Sequence, residues 1–111
     1  MWAQGINTLE SKIKAEPAGG TMLPKQFAVD QNYPNPFNPK TIIKYALPST
    51  EKVTVKIFNV LGKEVATLFE GQQTAGYYHL EWDAVNFSSG VYFYSVQAGS
   101  HNELLKMLLI K

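Results

Sequence analysis

From Phe27 onward, apolar and polar residues alternate with a period of two, the spacing of a strand with one buried and one wetter face. In "TIIKYAL", Ile43, Tyr45 and Leu47 stand against Lys44 and Ala46. In "KVTVKIFN", Val53, Val55 and Ile57 stand against Thr54 and Lys56. "KEVATLFEG" is a third run of this kind, and in "YYHLEWD" Tyr78, Leu80 and Trp82 oppose His79 and Glu81. "GVYFYSVQA" is apolar on both faces over residues 91–94, which predicts a central strand. "ELLKMLLIK" closes the chain. Leucine and methionine favour a helix there, but the short connection "AGSHN" just before it predicts the second arm of a hairpin.

The connections carry turn chemistry. "NVLGKE" supplies Gly62 for a positive φ between two strands, and "GQQTAG" and "NFSSG" are small, polar loops. Six to seven short strands joined this way predict an all-β fold, an immunoglobulin-like antiparallel β-sandwich. With no cysteine there is no inter-sheet disulfide, so large side chains must fill the middle. Period-two placement puts Val55, Ile57, Leu80, Trp82, Tyr92 and Tyr94 in that core.

Residues 1–26 are patterned differently and are expected to form a linker or tail ahead of a sandwich over residues 27–111. Ile6, Leu9 and Ile13 recur at roughly helical spacing, and Asn7 with Glu10 is a weak capping box. The segment is open to a short helix, a mobile tail or a non-native leader. "EPAGGTMLPK" reads as a linker, because proline and glycine break regular elements. The opening "MWAQGINTLESKIK" is not patterned as a secretory signal peptide, so an exported form of this chain is expected to be a fragment or a processed product.

"QNYPNPFNP" stiffens the chain just before the first long strand. Pro34, Pro36 and Pro39 fix φ, donate no hydrogen bond and push their preceding residues toward extended geometry. An extended strut over residues 33–39 is expected, with Asn35 and Asn38 bonding their own backbone and both Tyr33 and Phe37 burying their rings.

These residues resemble a known family. "QNYPNPFNP", "IKYALP", "VKIFNVLGKEV", "GYYHLEWDA", "SSGVYFYSVQAG" and the ending "KMLLIK" look like the C-terminal sorting domain of type IX secretion cargo, found in Bacteroidetes and related bacteria. The domain is also similar, more loosely, to the immunoglobulin-like domain of the flagellar hook-capping protein. The resemblance implies a non-catalytic domain attached to the C-terminus of upstream cargo. It implies periplasmic transit, then recognition by an outer-membrane translocon. A surface sortase would act last, linking cargo to lipopolysaccharide and leaving it on the cell surface or outside. The family's motifs fall on Pro34, Asn35 and Pro36, on Gly90, Val91 and Tyr92, and on Lys111.

Composition narrows the alternatives. All ten basic residues are lysine and nine residues are acidic. The absence of arginine argues against nucleic-acid binding, and no apolar run is long enough to cross a bilayer. No metal or cofactor is expected. His79 and His101 have no clustered ligands, and Asp30, Asn32, Asn35 and Asn38 lack the acid density of a calcium loop. Ser88, Ser89 and Gly90 read as a turn, and Glu81 and Asp83 read as sitting at opposite or distant positions on a strand. No enzyme is expected. Two other functions compete with sorting. One is a self-assembling structural or adhesive module, a homo-oligomer held through the N-terminal tail. The other is a carbohydrate-binding module with Tyr77, Tyr78, Trp82, Tyr92, Phe93 and Tyr94 as its stacking platform.

Overall fold

The computed structural model describes residues 13–16 and 23–111. The strands are β1 (Ile13–Glu16), β2 (Ala28–Val29), β3 (Lys40–Leu47), β4 (Glu51–Asn59), β5 (Glu64–Gln73), β6 (Gly76–Asp83), β7 (Gly90–Ala98) and β8 (His101–Leu109). There is no helix among the described residues. They form two four-stranded antiparallel sheets, the first ordered β1-β6-β3-β2 and the second β5-β4-β7-β8, packed as a β-sandwich.

Period-two patterning becomes period-two burial. β4 buries Val53, Val55 and Ile57, and β6 buries Tyr78, Leu80 and Trp82. β7 buries Tyr92, Tyr94 and Val96, and β8 buries Met107 and Leu109. Each fully buried aliphatic side chain contributes about 1.5–3 kcal/mol through removal of its surface from water. β7 lies between β4 and β8, the central position predicted for it. β8 is a strand despite its leucines and methionine, because pairing with β7 along its whole length outweighs intrinsic helix preference.

The β4–β5 turn is built as its sequence suggests. Gly62 has φ +82°, and the Asn59 side-chain oxygen accepts hydrogen bonds from the Leu61 and Lys63 amides. β5 departs from regularity: its register with β4 shifts between Val55 and Lys56 and again between Ile57 and Phe58.

One expectation needs correction here. The helical spacing reaching Ile13 meets a strand, since Ile13 pairs with Leu80 and Glu16 with Tyr77. The edge of β6 offers unpaired backbone groups, and four residues of the tail satisfy them. That pairing is made within one chain. The remainder of the helix and linker reading, at residues 1–12 and 17–22, lies outside the described residues.

Candidate functional site

The proline segment, residues 31–39, lies across the open side of the sandwich and is tied to both sheets. On the first sheet, Tyr33 N–H donates to Ile42 O and Ile42 N–H donates back to Tyr33 O, at 3.0 and 2.9 Å. On the second sheet, Phe37 N–H donates to Leu108 O, and Ile110 N–H donates to Phe37 O, both at 3.0 Å. Two side chains extend this contact along the edge of β8. Gln31 Nε2 donates to Lys106 O at 2.7 Å, and Asn35 Oδ1 accepts from Leu108 N–H at 3.0 Å. The prolines have no N–H to offer, so the segment covers the edge of β8 without creating a new ladder that could grow.

The segment is not the extended strut expected from its prolines. It bends at residues 34–36 and 38–39, and the peptide bonds preceding all three prolines are cis. The local hydrogen bonding comes from Asn32 rather than from Asn35 and Asn38. Asn32 Nδ2 donates to Thr41 Oγ1 at 2.9 Å and to Pro34 O at 3.2 Å, and Thr41 Oγ1 donates to the same carbonyl at 2.9 Å. Both side chains are buried, and no buried side-chain polar atom among the described residues lacks a partner. Buried polar groups are tolerated only when satisfied in this way. Only one of the two flanking rings is buried. Phe37 is 2% exposed, whereas Tyr33 is 80% exposed because its backbone, not its ring, is the part engaged with β3.

Phe37 leads into an aromatic cluster at this end of the sandwich. Its ring lies 5.7 Å from Trp82, which contacts Phe87 at 5.3 Å and Tyr92 at 5.6 Å. Tilted and edge-on arrangements of this kind add about 0.5–1.5 kcal/mol per pair beyond burial alone. Tyr92 also closes the β6–β7 loop, donating its hydroxyl to Ser88 O at 2.7 Å. The same loop holds the chain's last residue: Lys111 N–H donates to Ser89 Oγ at 2.9 Å and Lys111 Nζ to Val85 O at 2.6 Å. Gly90 opens β7 at φ +152°, a backbone setting that favours glycine, although a Cβ there would meet no atom within 4 Å.

The residues singled out from the sequence therefore converge. Gly90 pairs with Leu109, Val91 with Leu108 and Tyr92 with Met107. Asn35 bonds Leu108, and Lys111 bonds the loop leading into Gly90. Pro34 and Pro36 flank Asn35 on the surface. Two stretches distant in sequence, residues 35–37 and 85–92, thus flank residues 108–111, which carry the third motif residue, Lys111. Sequence reasoning passed over Gln31 and Thr41, weighed Asn32 only as a cation ligand and read Ser89 only as a turn residue; all four hold this arrangement. The pattern Asn-x-Pro with a threonine opening the next strand was the one available signal for the buried Asn32–Thr41 pair.

Other candidate chemistry resolves into structural roles. The Asp30 carbonyl accepts the Tyr94 hydroxyl at 2.6 Å, and burial pushes that hydroxyl's pKa up to about 12. The buried Tyr45 hydroxyl is pushed up further by desolvation, against the opposing effect of its hydrogen bond to Gln73. Asn35 Oδ1 and Asn32 Oδ1 are engaged by Leu108 and Gln31, so these oxygens do not converge as a cation shell. His101 opens β8 and stacks on Phe27 at 4.9 Å. Glu81 and Asp83 lie two apart on β6 and so share its outer face, not opposite positions; the Asp83 carboxylate accepts from Val85 N–H. Of the six aromatics considered for sugar stacking, Tyr78, Trp82, Tyr92 and Tyr94 are buried and Tyr77 and Phe93 half-buried, which leaves no exposed platform among them. Among the described residues no group of three or more His, Cys, Asp or Glu is placed to hold a metal.

Compared with known families, residues 31–111 match the secretion system C-terminal sorting domain. No curated protein matches the chain.

Proposed function

This chain belongs to the secretion system C-terminal sorting domain family, a type IX secretion signal, and from that premise we propose that it carries an attached upstream cargo through that system to the cell surface without chemistry of its own. The observation that carries this reading is the convergence of the three sequence motifs around residues 108–111. Such an arrangement displays one composite surface, made of loop, strand and residues 108–111, to a protein partner. The outer-membrane translocon is the partner this surface would meet, after transit of the periplasm. A surface sortase would act later, at the boundary with the cargo. The polar atoms near the motifs are spent on holding the surface together, which fits a recognition role better than catalysis.

The test is to fuse the full chain behind a periplasmic reporter in a type IX-competent host. The reporter should appear on the surface, and a reporter without the chain should stay in the periplasm. Replacing Ser89 and Lys111 together by alanine removes two exposed hydrogen bonds at a cost of about 0.5–1.5 kcal/mol each. The variant should stay folded and lose display. A reporter retained in the periplasm behind the unaltered chain would refute the proposal.

A further inference from the structure

The outer face of the second sheet is divided. On the half nearer the β7–β8 turn it carries Thr54, Glu70, Gln72, Gln97 and Asn102, a polar surface of the usual kind, and a mixed row of Thr67, Lys56, Ser95 and Leu104 divides it from the rest. On the half nearer residues 108–111 it is apolar. Phe58 pairs across with Phe93, and Val91 pairs across with Leu108. Leu104 and Ile110 flank them on the outward side of β8 and its continuation, 58% and 50% exposed. The exposed Leu104, Leu108 and Ile110 continue into the half-buried Phe58, Val91 and Phe93, and a contiguous apolar surface of this kind on a small domain marks one that another molecule covers.

Two charges lie on this half, Glu64 opposite Phe58 and Lys106 opposite Phe93, and of the two only the lysine lacks an ion-pair partner among the described residues. Lys106, exposed and facing outward between Leu104 and Leu108, pairs across with Phe93 and has no ion-pair partner among the described residues. The acid bordering the patch is already engaged: Glu64 pairs with Lys56 at 3.2 Å and accepts from Thr67. We infer that the apolar half of this face is the docking surface for a partner protein that lays an apolar strip across β7 and β8 and brings a carboxylate to Lys106.

Charge decides between occupants. A second copy docked through the same patch would bring Lys106 with no free carboxylate to meet it, and the two ammonium groups would oppose each other. An anionic lipid surface is held by clusters of lysine or arginine, and this half of the face has one unpaired cation. A foreign carboxylate set in an apolar rim satisfies both the lysine and the leucines.

The inference rests on the sorting reading, and the same display assay separates the two. Lys106→Glu should lower surface reporter at least about tenfold, and Lys106→Met, which keeps the apolar stem, should lower it less. Leu104→Ser with Ile110→Ser should also lower it about tenfold, while Thr54→Ser and Gln97→Ser on the polar half leave it unchanged. Thermal unfolding of each purified variant checks folding. If the double variant loses its fold, Lys106→Glu, on an exposed side chain, still decides the matter. No display from the unaltered chain would overturn the sorting reading and this inference together. Full display by folded patch variants would overturn the inference alone. So would a photocrosslinker at position 104 that joins two copies of the chain. Lys106-dependent binding to phosphatidylethanolamine–phosphatidylglycerol vesicles would equally overturn it, in favour of a lipid partner.

Discussion

The second sheet has two outer edges, β5 and β8, and they are built on opposite plans. β5 breaks its own regularity with two register shifts against β4, and its outward positions include Glu64, Thr67, Glu70 and Gln72. Bulges and charges of this kind twist an edge away from further pairing. β8 runs in unbroken register with β7 over nine residues and carries leucines outward. Its edge is blocked by something laid over it: the proline segment, which bonds it through Gln31, Asn35 and Phe37. One edge is disarmed by its own irregularity. The other is kept regular, and is therefore able to hold a surface in place, because a separate piece of chain guards it.

The largest effect on this contrast should come from Phe37, the buried anchor of the guarding segment. Phe37→Ala should destabilise the fold by about 3–5 kcal/mol, as for other buried aromatics, measured by chemical denaturation. Exchange of the Leu108 and Ile110 amides should accelerate more than that of β5 amides. Equal acceleration at both edges would show that Phe37 is a core residue and nothing more.

A smaller effect is expected at Tyr94, whose hydroxyl fastens the start of the guarding segment through Asp30 O. Tyr94→Phe should cost about 1 kcal/mol at neutral pH for the lost hydrogen bond. The hydroxyl's folded pKa of about 12 exceeds its unfolded value. The folded state therefore holds this proton more tightly, so its stabilising effect is complete below an unfolded pKa of about 10 and fades as pH rises through the folded one. Stability of the parent should fall between those limits, Tyr45 adding to the decline, and Tyr94→Phe should decline less steeply. Parallel alkaline curves for parent and variant would remove Tyr94 as a contributor.

The smallest effect is expected at Asn35, which is exposed. Asn35→Ala should cost about 0.5 kcal/mol, the low end for an exposed hydrogen bond, and speed exchange of the Leu108 amide specifically. An unchanged Leu108 amide would mean that the side chain is not what guards it.

Much of the fold was legible in the alternation. The strands from Lys40 to the end, the central character of β7, the strand nature of β8 and the positive φ at Gly62 all follow from local pattern and turn chemistry. The exposed ring of Tyr33 and the strand at Ile13–Glu16 did not follow. Periodicity reports which face of an element is apolar, but it is silent on an edge waiting for a partner. Four residues with weak helical spacing become a strand when β6 presents unpaired N–H and C=O groups beside them.

By itself, then, the sequence determined the strands, the side chains each buries, and the prolines that keep one segment out of the ladders. Tertiary structure alone decided that Asn35 would meet Leu108, 73 positions away, and that Lys111 would meet Ser89. The physical reason is that a backbone hydrogen-bonding group is the same at every residue, so no side-chain pattern marks its partner. Partners are assigned only when two sheets pack with their apolar faces together, and that packing fixes which chain segments arrive at the same edge.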